Sequence, residues 1–393
     1  MSSEPVVIVA ARRTPIGAFQ GALASATAPQ LGAAAIAAAV GDAGIDAADV
    51  DQVLMGCVLP AGLGQAPARQ AALAAGIPAG TPCTTVNKMC GSGMQTIMLG
   101  HDLLKAGSAA IVVAGGLESM SNAPYLLPKA RVGYRMGHQQ VLDHMFFDGL
   151  QDPYEGELMG HFAEKTADKY GFTRKQQDAF AIESVRRAIA AAGSGGFAAE
   201  IAPVTVKTRK GETTINADEI PGTVNVDRIP TLRPAFRDDG TVTAASSSSI
   251  SDGASALVLM TAAEAERRGL APIASVIGHS SFAQEPAWFT TAPVAAIRLL
   301  HDKLGWNPDN VDLYEVNEAF AVVTMAAMSD VKLDHAKVNV NGGACALGHP
   351  VGASGARITT TLIHALKARN LQRGVASLCI GGGEAVAIGI ELI

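Results

Sequence analysis

The sequence is poor in charge, in aromatic rings and in cysteine. Only 17% of its 393 residues are charged, and 30 Lys and Arg stand against 36 Asp and Glu, giving a net charge of −6 with no basic block. A nucleic-acid-binding chain carries a basic patch or stripe, so that class of partner is set aside. The cysteines, Cys57, Cys83, Cys90, Cys345 and Cys379, are odd in number, widely spaced and without a CxxC pair. That argues against a zinc site or a disulfide framework and for a reducing compartment. No apolar run reaches the roughly 20 residues that span a bilayer. The opening run MSSEPVVIVAARRTP lacks a basic segment followed by a long apolar one, and the closing GIELI is not a receptor-read address. The expectation is a cytoplasmic protein without a membrane partner.

What is present is apolar and small. Hydrophobic residues make up 48% of the chain and glycine contributes 42 residues, the composition of a globular protein with much buried surface. A chain this long exceeds one ordinary core, so two domains or a duplicated unit are expected. The run VVIVAA near the start reads as a buried strand. Residues 28–44, APQLGAAAIAAAVGDAG, read as a helix stopped by Gly44, and 50–58, VDQVLMGCV, as a second strand. Strand, helix, strand at this spacing predicts an α/β fold with largely parallel strands.

The chain also repeats itself. ADVDQVLMG (48–56) resembles DNVDLYEVN (309–317), and residues 91–119 run parallel to residues 353–385. Each longer segment begins with small residues, continues as an apolar helix ending near Lys105 or Lys367, and closes with an apolar strand and glycines. Two similar halves, roughly 1–120 and 270–393, follow. The region 120–250 breaks this rhythm. It offers two helical stretches (162–170 and 173–192) and the polar run VKTRKGETTINADEIPG, and it reads as an insertion that covers something. The serine run within TVTAASSSSISDGASALVLM (241–260) has apolar flanks and reads as an ordered loop leading back into a strand.

Four stretches hold groups capable of chemistry. In VNKMCGSGMQ, Cys90 precedes Gly-Ser-Gly and a helical apolar pattern. A thiol at a helix N-terminus faces free N–H groups that favour its thiolate, although a buried structural cysteine fits the same local pattern. In NVNGGACALGHPVGASGAR, His349 sits in a glycine-rich loop before a helix, either as a hydrogen-bonded loop residue or as a base. His101, His301 and His364 read as helix-surface residues. Cys379 ends an apolar strand, and Gly381, Gly382 and Gly383 follow, with N–H groups suited to an oxyanion. Asn317, at the end of another strand, either caps the helix that follows or polarises a carbonyl.

Taken together and in this order, the stretches resemble the thiolase family, and within it short-chain acetyl-CoA C-acetyltransferases. RTPIGAFQGAL, GGLESMSNAPY, LRPAFRDDGTVTA, NEAFA, GHPVGASGAR and CIGGG carry the resemblance, which extends over essentially the whole chain. It implies a five-layered αβαβα fold: two similar halves with mixed sheets (1–120 with 250–270, and 271–393) plus an inserted loop domain over 121–249 that binds CoA. It implies that Cys90 is the acyl-accepting nucleophile, His349 its base, and Cys379 the acid/base acting on C2 of acetyl-CoA. Asn317 with His349 would form one oxyanion hole, and the N–H groups of Cys90 and Gly381 the other. Ser248, Met159, Leu150, Ala319 and Phe320 fall where CoA contacts are expected, and Trp288 and Phe289 where the acyl pocket is expected.

The implied reaction is reversible condensation of two acetyl-CoA molecules to acetoacetyl-CoA and CoA. It needs covalent capture of one acyl group and a second base to make a carbanion of the other. CoA thioesters are substrates, and no metal or prosthetic group is expected. The segment 122–145 resembles the loop through which such enzymes form tetramers, so a homodimer or homotetramer is expected. The chain departs from the family pattern at Leu158, where a histidine is common, and at ASSSSISDG (245–253). The alternatives are a degradative 3-ketoacyl-CoA thiolase for longer or dicarboxylic chains, a scaffold that has lost activity, and a cysteine hydrolase. Retention of Cys90, Asn317, His349 and Cys379 argues against the scaffold, and a hydrolase leaves Cys379 and its glycines unexplained.

Overall fold

The structure, a computed structural model, describes residues 4–208 and 211–393. The first three residues of the N-terminal run and Arg209 and Lys210 of the polar stretch lie outside the described residues. In chain order the first half runs β1 (Val6–Arg13), the two-residue β2 (Gly17–Ala18), α1 (Ala28–Ala43), β3 (Gln52–Gly56), α2 (Pro67–Ala74), β4 (Cys83–Val86), α3 (Ser92–Lys105) and β5 (Ile111–Ser119). Next come the short β6 (Tyr125–Leu126) and β7 (Leu142–Asp143), α4 (Met159–Tyr170), α5 (Arg174–Gly193), and the hairpin β8 (Val204–Thr208) with β9 (Gly211–Ile215). The chain returns as β10 (Ser251–Thr261) and α6 (Ala262–Arg267). The second half is β11 (Ala274–Ala283), α7 (Ala292–Leu304), β12 (Leu313–Val316), α8 (Ala321–Val331), α9 (Ala344–Leu347), α10 (Ser354–Arg369), β13 (Arg373–Ile380) and β14 (Glu384–Leu392).

Local chemistry sets these elements. Thr27 and Gln30 form a reciprocal capping box at the start of α1, Pro29 occupies its first turn, and Gly44 closes it at φ 66°. Every residue of β5 is buried, because both faces of the strand are covered. Its side chains alternate: Val113 and Leu117 pack with Leu31 and Ile36 of α1, while Val112 and Ala114 pack with Met94 and Ile97 of α3.

Apart from β4 at one end, the strand order β12-β13-β14-β11-β1-β10-β5-β3-β4 is symmetric about the β11–β1 junction. β14 lies between β11 and β13 as β10 lies between β1 and β5, and β12 corresponds to β3. Parallel pairing is confined to β3 with β4 and β5, and β12 with β13; the pairs made by β1, β10, β11 and β14 are antiparallel. The expectation of largely parallel strands is therefore corrected to mixed halves. β10 and β14 each return beside the strand that precedes them, and that return reverses direction. Three cores separate five layers: α1 with α2, the first half of the sheet, α3 with α10, the second half, and α7 with α8.

The central layer is very tight. A Cβ placed on Gly355 of α10 would stand 2.4 Å from the Met94 backbone nitrogen, and one placed on Gly93 of α3 would stand 2.9 Å from that of Ala356. The two positions are related by the repeat, and each lets the other helix through. Residues 121–249 dock on this frame by buried charge. Arg13 of β1 donates from Nε to Glu200 at 2.6 Å and from its two terminal nitrogens to Asp218 at 2.7 and 2.8 Å.

The crossing makes two glycines diverge in sign. Gly355→Ala forces backbone apart and should lower stability by about 1–3 kcal/mol. Gly41→Ala, at an exposed position of α1 with nothing within 4 Å of the added methyl, should raise it by about 0.5–1 kcal/mol through helix propensity. Chemical denaturation of both variants beside the parent checks the pair; equal shifts would mean that the crossing is not tight.

Candidate active site

Strand ends and helix starts converge on one cavity of about 220 Å³, lined almost wholly by apolar atoms. Cys90 lies in the turn that carries β4 into α3. That turn is held in shape: Met89 adopts φ 47°, Ser92 Oγ accepts from the Lys88 N–H at 2.9 Å and donates to the Met89 carbonyl at 2.6 Å. Gly91 is needed for close approach, since a Cβ there would meet Ile380 Cδ1 at 2.4 Å. This contact brings the Cys90 turn onto the end of β13.

The ionisation of Cys90 differs from the expectation. Removal from bulk water pushes its thiol up to about 11, and the backbone N–H groups of Gly381 and of Cys90 itself only partly pull it back. The helix N-terminus is therefore outweighed by desolvation, and the resting group is a thiol that needs a base.

His349 is buried in the loop between α9 and α10, anchored by its N–H to the Ser249 carbonyl at 3.0 Å. Its Nδ1 lies 2.5 Å from Ser354 Oγ, and that hydroxyl donates to the Pro350 carbonyl at 2.9 Å. The single hydroxyl proton is thus committed, so Ser354 accepts from Nδ1–H and leaves the lone pair on Nε2. This assigns the tautomer. Nε2 is buried without a protein partner. Burial, and next the Arg357 charge, push the imidazole down to about 3, so it is neutral near pH 7.

Cys379 sits near the end of β13, fully buried, and its thiol is raised well above the ordinary value by burial and by Cys90. Asn317 follows β12, and its N–H donates to the Ser377 carbonyl at 3.0 Å. Helix α8 begins only at Ala321, with Phe320 at its cap position, so Asn317 does not cap it. Both polar atoms of its side chain are buried without a protein partner, as in a group reserved for something other than the fold. Its neighbour Glu318 accepts from Ser184 at 2.7 Å, from Asn339 at 2.8 Å and from the Cys345 N–H at 3.0 Å.

Of the residues expected at the site, Cys90, His349, Gly381, Leu150, Met159, Ser248, Ala319, Phe320 and Phe289 line this one cavity. Cys379 packs just behind it, in the cluster with Phe289 and Phe320. Trp288 does not line it; its ring lies 4.1 Å beneath the Lys169 ammonium, so its assignment to the acyl pocket is corrected. The backbone kinks at Trp288 (φ −107°, ψ 19°), which separates it from Phe289. His301 is likewise corrected: it is buried against the Tyr314 hydroxyl at 3.1 Å, not on a helix surface.

Met120, Phe146 and Phe236 also line the cavity and were not singled out from the sequence, although Met120 and Phe236 lie inside motifs already noted. Glu118 was missed as well. It is buried and accepts from the N–H groups of Val58, Leu59 and Gly352, tying the loop after β3 to the loop of His349. Burial pushes its carboxyl up to about 7, against those three donors. An acid ending an otherwise apolar strand was the available signal.

Residues 6–263 match the thiolase N-terminal domain and residues 270–392 the thiolase C-terminal domain. The chain is 50% identical over 388 residues to an acetyl-CoA acetyltransferase of Pseudomonas aeruginosa, covering 98% of each chain. It is 47% identical over 395 residues to one of Schizosaccharomyces pombe, covering 100% of each. Among solved structures, the acetyl-CoA acetyltransferase of Bacillus anthracis superposes with a TM-score of 0.97 at 41% identity, covering 99% of both chains. The Acat5 thiolase of Ascaris suum, in complex with coenzyme A, gives 0.94 at 42% identity, covering 99% of this chain and 100% of that one.

The raised thiol and lowered imidazole set a pH signature. Below about 11 Cys90 is a thiol, and above about 3 His349 is neutral, so neither titrates near 6.5. Alkylation of Cys90 by iodoacetamide in the free protein should therefore climb steadily from pH 7 to 9. A plateau reached by pH 7 would mean a thiolate–imidazolium pair at rest.

Proposed function

The chain belongs to the thiolase family, and from that premise we propose that it catalyses the reversible condensation of two acetyl-CoA molecules to acetoacetyl-CoA and CoA, through an acyl group on Cys90. The observation that carries the reading is the meeting of the Cys90 thiol, the unpartnered Nε2 of His349 and the Gly381 N–H at one apolar cavity.

In the first half-reaction His349 Nε2 takes the Cys90 proton as the sulfur attacks the thioester carbonyl. The N–H groups of Cys90 and Gly381 receive the oxyanion, and CoA leaves with the proton from His349. In the second, Cys379 passes its own proton to His349 Nε2 and, as the thiolate, removes a proton from C2 of a new acetyl-CoA. The enolate oxygen is held by the Nε2–H that His349 has just gained and by a water that Asn317 orients. The carbanion attacks the acyl carbonyl, the carbon–carbon bond forms, and the Cys90 thiolate leaves and takes the proton from His349, which restores both thiols and the neutral imidazole. Desolvation assists both steps: two neutral thiols and a neutral imidazole let an acyl thioester enter without displacing a resident charge. Leu150, Met159, Ser248, Ala319 and Phe320 hold the pantetheine arm in this reading. No cofactor takes part.

The same reading places the enzyme in the cytoplasm as a homodimer or homotetramer. Two observations support the association. β4 ends the sheet with half-exposed residues, an edge open to another strand. Beyond β6, Val132 and Met136 are 81% and 92% exposed, among other apolar residues of that segment.

Intact mass after brief exposure to acetyl-CoA tests the chemistry. The wild type gains one acetyl group and Cys90→Ala gains none. Cys379→Ser gains it but loses about 10²–10⁴ in condensation rate, the usual contribution of a positioned acid/base. An acetyl group persisting on Cys90→Ala would move the nucleophile elsewhere.

Chain length is read at Phe289. Its ring meets Phe162 edge-on at 6.2 Å and lines the cavity of about 220 Å³, a small volume that supports short acyl chains over the longer ones of degradative thiolases. Acetoacetyl-CoA should be cleaved faster than six- or eight-carbon 3-ketoacyl-CoAs, and Phe289→Ala should narrow the ratio. Faster cleavage of the longer thioesters by the wild type would favour the degradative reading.

A further inference from the structure

Away from the cavity, the carboxylate of Asp102 stands between two imidazoles. Asp102 and His101 lie in the last turns of α3, and His279 lies in β11, so the cluster joins the two halves of the chain. Asp102 Oδ1 is 2.9 Å from His101 Nδ1 and 3.0 Å from His279 Nε2. The two rings meet edge-to-face, 5.1 Å between centroids and 87° between planes. All three candidate donor atoms fall within 4.8 Å of one another. The histidine side chains are 12% and 16% exposed, whereas that of Asp102 is 58% exposed. The donors are thus largely fixed by packing, with an entry path on the carboxylate side.

The geometry points to a binding site for a divalent transition metal ion, held by His101 Nδ1, His279 Nε2 and an Asp102 oxygen. Two imidazoles and one carboxylate are the donor set of zinc, cobalt, nickel or copper, and unsuited to calcium or magnesium, which take oxygen. Ligands at roughly 2.0–2.2 Å from an ion stand about 3 Å apart at right angles and about 3.4 Å apart in a tetrahedron, close to the 2.9 and 3.0 Å of the two nitrogen–oxygen edges. Only the edge between the two nitrogens, no longer than 4.8 Å, has to close. The nearby cations are engaged elsewhere. Lys105 donates to the Glu4 carbonyl, and Lys303 donates to the carbonyl of His279 at 3.1 Å. A bound ion would clamp α3 to β11 at the seam between the halves.

Metal uptake by the full-length, chelator-treated protein tests this with zinc and cobalt as probes. The wild type should bind one ion per chain that His279→Gln and Asp102→Asn do not bind. Asp102→Asn keeps an oxygen for the histidine N–H groups and removes the charge, so it separates coordination from simple hydrogen bonding. Zinc should raise the thermal midpoint of the wild type by several degrees and leave both variants unmoved, because binding to the folded state alone stabilises it. Retained near-ultraviolet circular dichroism establishes that the variants are folded. Equal uptake by wild type and variants would overturn the site, as would a cobalt spectrum dominated by thiolate charge transfer. The three groups would then be a hydrogen-bonded triad.

Discussion

The close crossing of α3 and α10 is the constraint on which the rest depends. Each helix begins at a loop that carries a reacting group, Cys90 before α3 and His349 before α10. Their spacing is set by two glycines, Gly93 and Gly355, at which any side chain would strike the other helix's backbone. Moving the helices apart by one methyl would separate the sulfur from the imidazole by a similar distance. The duplication supplies this arrangement directly. One strand-helix unit, used twice and packed face to face, brings two equivalent helix starts to one point.

Desolvation is the second theme, and it acts in one direction throughout. It keeps Cys90 and Cys379 as thiols, keeps His349 neutral and raises the carboxyl of Glu118. The groups around the cavity are polar without being charged. Their positions are held by backbone donors and by neutral partners such as Ser354. An uncharged, pre-oriented site of this kind need not reorganise when charge develops on a reacting oxygen.

Much of this was legible in the sequence. The repeat between residues 91–119 and 353–385 named both central helices and the strands after them, since each is a strongly patterned local segment. Cys90, His349 and Gly381 stood out because each sits among glycines that a mere core would not need. The direction of strand pairing was not legible, because β10 joins β1 and β5 only after an excursion of more than a hundred residues. The thiol's ionisation was not legible either. Met120, Phe146 and Phe236 reach the cavity from distant segments, Met120 and Phe146 in the cluster that packs on Cys90, and desolvation outweighs the helix terminus beside it. Trp288 and Phe289 adjoin in sequence, yet a single kinked residue sends one toward Lys169 and the other to the cavity.

The antiparallel pairing of β5 with β10 has a consequence for folding. Ser119 faces Asp252 across that ladder, so the excursion between them leaves and re-enters the sheet at neighbouring positions. The first half of the sheet cannot close until the chain beyond residue 251 exists: during synthesis β1 waits unpaired and β5 waits with only β3 beside it. Once closed, the excursion is a loop on a fixed base, and doubling its length would cost only about 0.6 kcal/mol in chain entropy. The covering region can therefore lengthen, shorten or exchange content over evolutionary time while the two halves beneath it keep their register.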